Sequence, residues 1–137
     1  MIKLFSEEWA KDFMAAWNAD TELVNGLQAE GFNSVIAYGF VGEDKPRMAV
    51  AVVNGKAVSA DKFSGQSPNW DLRATADDWR RWMVDGFGLT NLGTAVAMKK
   101  LRFEAGDYRQ MIRNPGLARP FLHHFEIMGK IKTEFRV

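Results

Sequence analysis

Trp9, Phe13, Ala16 and Trp17 recur at helical spacing behind Ser6, a capping residue, with Glu7 and Glu8 in the first turn where carboxylates meet the positive end of the helix dipole. This pattern predicts a helix from Ser6, then a further helical turn beginning near Thr21 and bracketed by Gly26 and Gly31. From Ser34 the period shortens. The run "SVIAYGFV" is β-branched and aromatic, and "RMAVAVVNGKAVSA" carries Asn54-Gly55 between two such runs, the signature of a tight hairpin between antiparallel strands. After the loop "SGQSPN", Trp70, Leu72 and Ala74 alternate with Asp71, Arg73 and Thr75, which predicts a fourth strand with one buried and one wet face.

Thr75 then caps a helix whose first turn holds Asp77 and Asp78, whose apolar side holds Trp79, Trp82 and Met83, and which Gly86 ends. A second helix is expected from Asn91 to Lys99, and a fifth strand where Leu101, Phe103 and Ala105 alternate with Lys100, Arg102 and Glu104. Gly106 supplies a turn, and Asp107 stands three residues before Gln110, the spacing of a capping box, so Tyr108, Met111 and Ile112 continue as a helix until Asn114-Pro115. A last helix is expected to start at Pro120 and to gather Phe121, Leu122, Phe125 and Met128 before Gly129, and the tail "IKTEFRV" adds a short edge strand. There is no internal repeat and no linker. The order predicts one α+β domain over residues 1–137, with helices covering one face of a five-stranded, largely antiparallel sheet.

Charge changes little in this picture. Lys and Arg number 18 against 17 Asp and Glu, a net charge of +1, which offers no field for nucleic acid. The absence of cysteine excludes disulfides, thiolate metal sites and cysteine nucleophiles. No apolar run approaches the ~20 residues of a membrane span, and "MIKLFSEEWAKD" lacks a signal-peptide core, so a cytoplasmic protein is expected.

Catalytic motifs are equally scarce. The chain has no nucleophile elbow, phosphate-binding loop or zinc-protease helix. His123-His124 with Glu126 is the one histidine cluster, and neighbouring helical positions diverge by about 100°, so a solvated or capping role is expected rather than shared ligation of an ion. Asp77-Asp78 and Asp107 are explained as first-turn and capping carboxylates. No catalytic residue, metal or cofactor is expected. What remains is an apolar inventory of seven Met, five Trp and ten Phe. Met is flexible and polarisable, and suits a site that accepts variable apolar shapes.

The succession "VNGKAV", "WDLRATADDWRRWMVDG" and "KKLRFEAGDYRQMIRN" resembles the sterol carrier protein type 2 family of lipid-binding domains over about Phe32 to Lys130, with residues 1–31 as an N-terminal helical segment. The resemblance implies a five-stranded sheet with helices on one side, enclosing an apolar tunnel for fatty acids, fatty acyl-CoA, sterols or phospholipids. It implies a carrier, not a catalyst. The peroxisomal address of many eukaryotic members is missing from the ending "FRV". Periodicity nominates Trp79, Trp82, Met83, Phe87, Leu89, Met98, Phe103, Met111, Phe121, Phe125 and Met128 as the lining, with Thr75 to Lys99 and Asp107 to Met128 as the lid; the bulk of Trp79, Trp82, Phe87 and Phe103 narrows such a tunnel. The expected partner is a hydrophobic small molecule, with transient membrane or partner-enzyme contact, as a monomer or a dimer. Two other readings stay open at this stage. One is an accessory module that docks its apolar face on another protein or on itself; the other is an enzyme using His123 or His124 with a carboxylate on an apolar substrate.

Overall fold

The computed structural model describes residues 1–136. Ser6 accepts a hydrogen bond from Trp9 N at 3.2 Å and opens α1 (Glu7–Ala19), which buries Trp9, Ala10, Phe13 and Trp17 on one stripe. Asp20 caps the next helix through Leu23 N, and α2 (Thr21–Ala29) is a full nine-residue helix with Gly26 inside it rather than a single turn. The strands follow as β2 (Ser34–Phe40), β3 (Met48–Val53), β4 (Lys56–Lys62) and β5 (Trp70–Ala74), then α3 (Ala76–Asp85), α4 (Leu89–Ala97), β6 (Arg102–Ala105), α5 (Tyr108–Arg113) and α6 (Pro115–Met128). The five-stranded sheet has the order β4-β3-β2-β5-β6. All its neighbours are antiparallel except β2 and β5, where Ile36 stands opposite Trp70 and Phe40 opposite Ala74. That parallel pair interrupts the meander: the chain leaves β4 at one edge and returns beyond β2.

The hairpin turn after β3 has positive φ at both Asn54 (50°) and Gly55 (84°), the twist-matched geometry. A Cβ on Gly55 would sit 2.6 Å from Val24 O, so the turn is tucked beneath α2, and Trp17 Nε1 donates to Gly55 O at 3.0 Å. This contact holds both N-terminal helices to the sheet.

Four expectations need correction. The second face of β5 is not wet: Asp71 and Arg73 are 7% and 5% exposed, joined by Arg73 Nε donating to Asp71 Oδ1 at 2.6 Å and Nη2 to Oδ2 at 3.0 Å, while Nη1 donates to Glu43 O at 2.8 Å. The alternation holds, but the segment after β2 folds back over that face, leaving Gly39 with Pro46 Cα only 2.8 Å from where a Cβ would be. The last helix starts at Pro115, capped by Asn114 through Gly116 N, and Pro120 lies buried inside it. The tail forms no edge of the main sheet; β7 (Thr133–Glu134) pairs in parallel with β1 (Ile2–Lys3) at the other terminus, and Val137 of that tail lies outside the described residues. The helix expected from Asn91 begins earlier, at Leu89, where Asn91 Oδ1 accepts from Gly88 N and closes its first turn.

Asp107 does cap α5, through Arg109 N at 2.9 Å. It is the joint between β6 and α5, with Gly106 at φ 97° directly before it.

Candidate ligand-binding site

Between α3, α6 and the sheet lies a continuous aromatic wall. Trp79 and Trp82 have centroids 5.7 Å apart, Trp82 and Phe87 5.0 Å, Phe87 and Phe125 4.4 Å, and Phe125 returns to Trp79 at 6.1 Å. Trp79 is fully buried with its Nε1 donating to Gly39 O at 3.0 Å, and Met83 and Met128 are buried beside the wall. All six of these residues are among those that periodicity nominates. They are brought together, and they fill the space between them.

The interior is looser at the other end, under α2, α5 and α6. A cavity of about 30 Å³ is lined by Trp17, Leu23, Leu27, Phe32, Ile36, Trp70, Met111, Leu117, Pro120, Phe121 and His124. Met111 and Phe121 belong to the nominated set; the remainder do not. Gly26 permits the helix approach that roofs this end, since a Cβ there would meet Pro120 Cγ at 3.1 Å. The space holds about one water, yet it offers a water too few polar partners to stay. It is a small, partly open apolar pocket.

His124 is the polar residue in that lining, and it is 1% exposed. Its Nδ1 donates to Phe121 O, which as a carbonyl can only accept. Nε2 is then left to accept from Tyr38 OH, 3.1 Å away, which fixes the neutral tautomer. Burial drives its pKa down to about 4, against the hydrogen bond to Phe121, and burial likewise raises the Tyr38 phenol above its ordinary range. Rings of Phe13, Trp17, Tyr38, Phe121 and Phe125 surround the imidazole. The expectation of a solvated or capping histidine is therefore wrong for His124. With both nitrogens engaged and no carboxylate against it, His124 presents a ring surface to the cavity.

Other nominated residues lie further out. Phe103 is half-buried and packs on Trp70 at 6.1 Å and Phe121 at 6.2 Å, above the cavity. Leu89 and Met98 are 56% and 60% exposed at the two ends of α4. Leu89 stands with Phe87 at one side of a solvent-open groove of about 490 Å³, whose far side is Ile112, Pro115, Ala118 and Leu122 and whose rim is Glu22, Arg119, His123 and Glu126.

At that rim His123 is enclosed by carboxylates: Nε2 lies 3.1 Å from Asp20 Oδ1 and 3.0 Å from Glu22 Oε2, and Nδ1 lies 3.1 Å from Glu126 Oε2. Burial opposes ionisation of Asp20, but the hydrogen bonds from Leu23 N and His123 outweigh it and its pKa is lowered. Asp20, Glu22 and His123 bring one ligand atom each within 4.8 Å of one another, the set among the described residues that could hold a metal ion. Lys130 Nζ, 3.7 Å from Asp20 Oδ2, already supplies cationic charge there. The cluster ties α2 to α6 across the groove.

Sequence reasoning missed the contribution of residues 17–36, because the resemblance begins near Phe32. Part of the signal was present in Leu23, Val24 and Leu27, which keep helical spacing after the Asp20 break. Pro120, expected at a helix start, instead lines the cavity from mid-helix.

No protein-family model matches the chain, and no curated protein matches it either. Solved structures do match. A crystal structure of sterol carrier protein 2 aligns with a TM-score of 0.74 at 14% identity, covering 94% of this chain and 99% of that one. A solution structure of a conserved hypothetical protein from Thermus thermophilus, considered a candidate sterol carrier protein, aligns with a TM-score of 0.67 at 15% identity over 98% and 93% of the two chains. The UbiJ-SCP2 ubiquinone synthesis protein aligns with a TM-score of 0.55 at 10% identity over 90% and 89%. These likenesses show that the chain has the sterol-carrier-protein type of α+β fold. Among the described residues, no helix is long and apolar enough to cross a membrane.

Proposed function

We propose that this chain is a single-domain, non-catalytic carrier of a lipid or similar apolar ligand, working in the cytoplasm and holding the hydrocarbon part of its cargo under α2, α5 and α6. The observation that carries the reading is the lining of this pocket: it is apolar, it lies beside a wall of well-packed rings, and the imidazole in it has both nitrogens satisfied internally. Such a lining rewards hydrocarbon and offers nothing to a polar reaction. The fold shared with structures named as sterol carriers supports the same conclusion.

A space of about 30 Å³ admits no lipid chain, so loading requires the helices over the pocket to move. The energetics allow it. Burying about fifteen methylenes gains roughly 12 kcal/mol at ~0.8 each, and association costs on the order of 4–15 kcal/mol before any helix is displaced. The balance gives at best micromolar or somewhat tighter binding, which suits a carrier that must also release. The headgroup stays at the mouth, because no unpaired buried donor or acceptor waits for it among the described residues.

A native mass spectrum of freshly purified protein, run beside an analysis of its solvent extract, tests the reading. A co-purifying lipid mass near one per chain is expected. A clean apo mass that a lipid panel leaves unchanged would favour the docking-module alternative.

A further inference from the structure

α2 and α6 form the roof of the pocket, α2 supplying Leu23 and Leu27 and α6 supplying Leu117, Pro120, Phe121 and His124. They cross antiparallel. Asp20, just before α2, lies beside His123 late in α6; Gly26 at mid-helix lies against Pro120; and Glu30, just after α2, meets Asn114, the cap of α6. The roof thus has a close contact at its centre and a polar fastening at each end, and the two fastenings differ in kind. At one end the Asn114 amide donates to Glu30 Oε1 at 2.6 Å, and an amide has no proton to lose near neutral pH. At the other stands an imidazole, the side chain whose charge ordinarily changes between pH 5 and 8.

His123 faces acceptors on both sides, Asp20 and Glu22 at Nε2 and Glu126 at Nδ1. Carboxylate oxygens only accept, and the ring has an N–H on both nitrogens only as the imidazolium. A neutral ring carries one N–H, so a lone pair then points at a carboxylate: at Asp20 and Glu22 when the hydrogen is on Nδ1, at Glu126 when it is on Nε2. Either way the charge that draws α2 to α6 is gone, and charge-assisted bonds give way to a weaker neutral one. The cations nearby do not replace it. Lys130 is exposed and reaches only Asp20, at 3.7 Å, and Arg119, one turn back on α6, makes no ion pair among the described residues. On the groove side of the ring α4 and α5 present only apolar Leu89 and Ile112. His124, next in sequence, is engaged by Phe121 and Tyr38 and takes no part.

We infer that His123 is a proton-operated latch on this roof: as the imidazolium it binds α2 to α6, and when it gives up its proton the helices part at that end, so that cargo exchanges faster above neutral pH than below it. What the latch regulates rests on the carrier reading; the latch itself does not. The parting has a path. Asp20 is the single residue between α1, which ends at Ala19, and α2, which starts at Thr21, and Gly31 at φ 60° follows the far end. α2 tilts about the Gly26–Pro120 contact with the Glu30–Asn114 end still fastened, and the pocket residue nearest the released end is Leu23.

Amide hydrogen exchange of the purified chain reads the latch with no ligand present, as protection factors that correct for the pH dependence of the intrinsic exchange rate. Parent and His123→Gln are compared at pH 6 and pH 8; both keep His124, so its effect cancels in the comparison. In the parent, protection over residues 23–29 of α2 is expected to fall about fivefold from pH 6 to pH 8, the scale of a partly exposed ion pair, and in His123→Gln to be low at both. Glu22→Gln, whose side chain is exposed, is expected to shrink the fall. No fall in the parent, an equal fall in His123→Gln, or an undiminished one in Glu22→Gln would overturn the latch. Palmitate uptake, followed by tryptophan emission, then tests what the latch serves. It is expected to be about fivefold faster at pH 8 than at pH 6 in the parent and equal at both in His123→Gln. Uptake at one rate in the parent would overturn the regulation and leave the carrier reading standing, whereas no uptake at either pH would overturn the carrier reading and the regulation with it, whatever the exchange shows.

Discussion

Replacing Phe125 with alanine is expected to cost about 3–5 kcal/mol of folding stability, the range for removing a buried phenylalanine from a packed core. Phe125 is fully buried and touches every part of the interior that matters here: Trp79, Trp82 and Phe87 in the aromatic wall, and Phe121 and His124 at the edge of the cavity. Its ring lies between the aromatic wall and two pocket-lining residues, Phe121 and His124. Denaturant unfolding reads the loss as a lower midpoint at an unchanged slope. The variant gains a second consequence that an ordinary core residue would lack. The new void adjoins the existing one, so the fraction still folded should take up a small apolar probe such as benzene more strongly than the parent does. A loss below 1 kcal/mol, or no gain in probe uptake, would mean that the wall and the cavity are not joined through this side chain.

Acid should destabilise the protein before its carboxylates are protonated, because His124 must stay neutral in the native state. Its pKa is about 4 when folded, pushed down by burial, against an ordinary 6.5 when unfolded. The unfolded chain therefore binds the proton first. Stability is fully present above about pH 6.5 and is lost as the pH falls from there to about 4, by an amount near 3 kcal/mol at ~1.4 kcal/mol per unit of difference. His124→Met removes the titration. The variant will be less stable at neutral pH, since it leaves Tyr38 OH without its acceptor, but its stability should be nearly flat over that window. Urea unfolding of both proteins at pH 7, 6, 5 and 4.5 separates slope from offset. Parallel curves for parent and variant would show that His124 is not the titrating group. The lowered pKa of Asp20 acts lower: its contribution is lost as the pH falls from about 5 through the carboxylate range, so the loss between pH 6.5 and 5 belongs to His124.

Much of this architecture can be read from local pattern, and the failures share a cause. Ser6, Thr75 and Asp107 cap the helices they are expected to cap, because a cap is decided by a few neighbouring residues. Asn54-Gly55 makes its hairpin for the same reason. Asp71 and Arg73 are misplaced by pattern alone because alternation reports that a strand has two faces, and what covers the second face is settled by a distant segment, residues 41–47. Pro120 reads as a helix start since proline is tolerated there; Asn114 and Pro115 offer the same signal five residues earlier, and the buried face from Ala118 onward favours the longer helix.

The candidate site divides along the same line. Trp79, Trp82, Met83, Phe125 and Met128 are legible as buried through their helical spacing, and they are buried, as is Phe87 in the loop after α3. Whether buried residues meet or leave a gap is not encoded in their spacing. The gap lies where α1 and α2 cross α6, a juxtaposition of residues about a hundred positions apart. His124 illustrates it most plainly: next to His123 in sequence, it points into the core while His123 points at Asp20, Glu22 and Glu126.

The most direct test of the central claim is a methyl NMR titration of labelled protein with one equivalent of a long-chain lipid such as palmitate. The account predicts that the methyl signals of Leu23, Leu27, Ile36, Met111 and Leu117, which line the cavity, shift together and saturate near one ligand per chain, while those of exposed Val58 and Val84 stay in place. A lipid panel that leaves the five cavity methyl groups unmoved, or that moves only exposed ones, would contradict it.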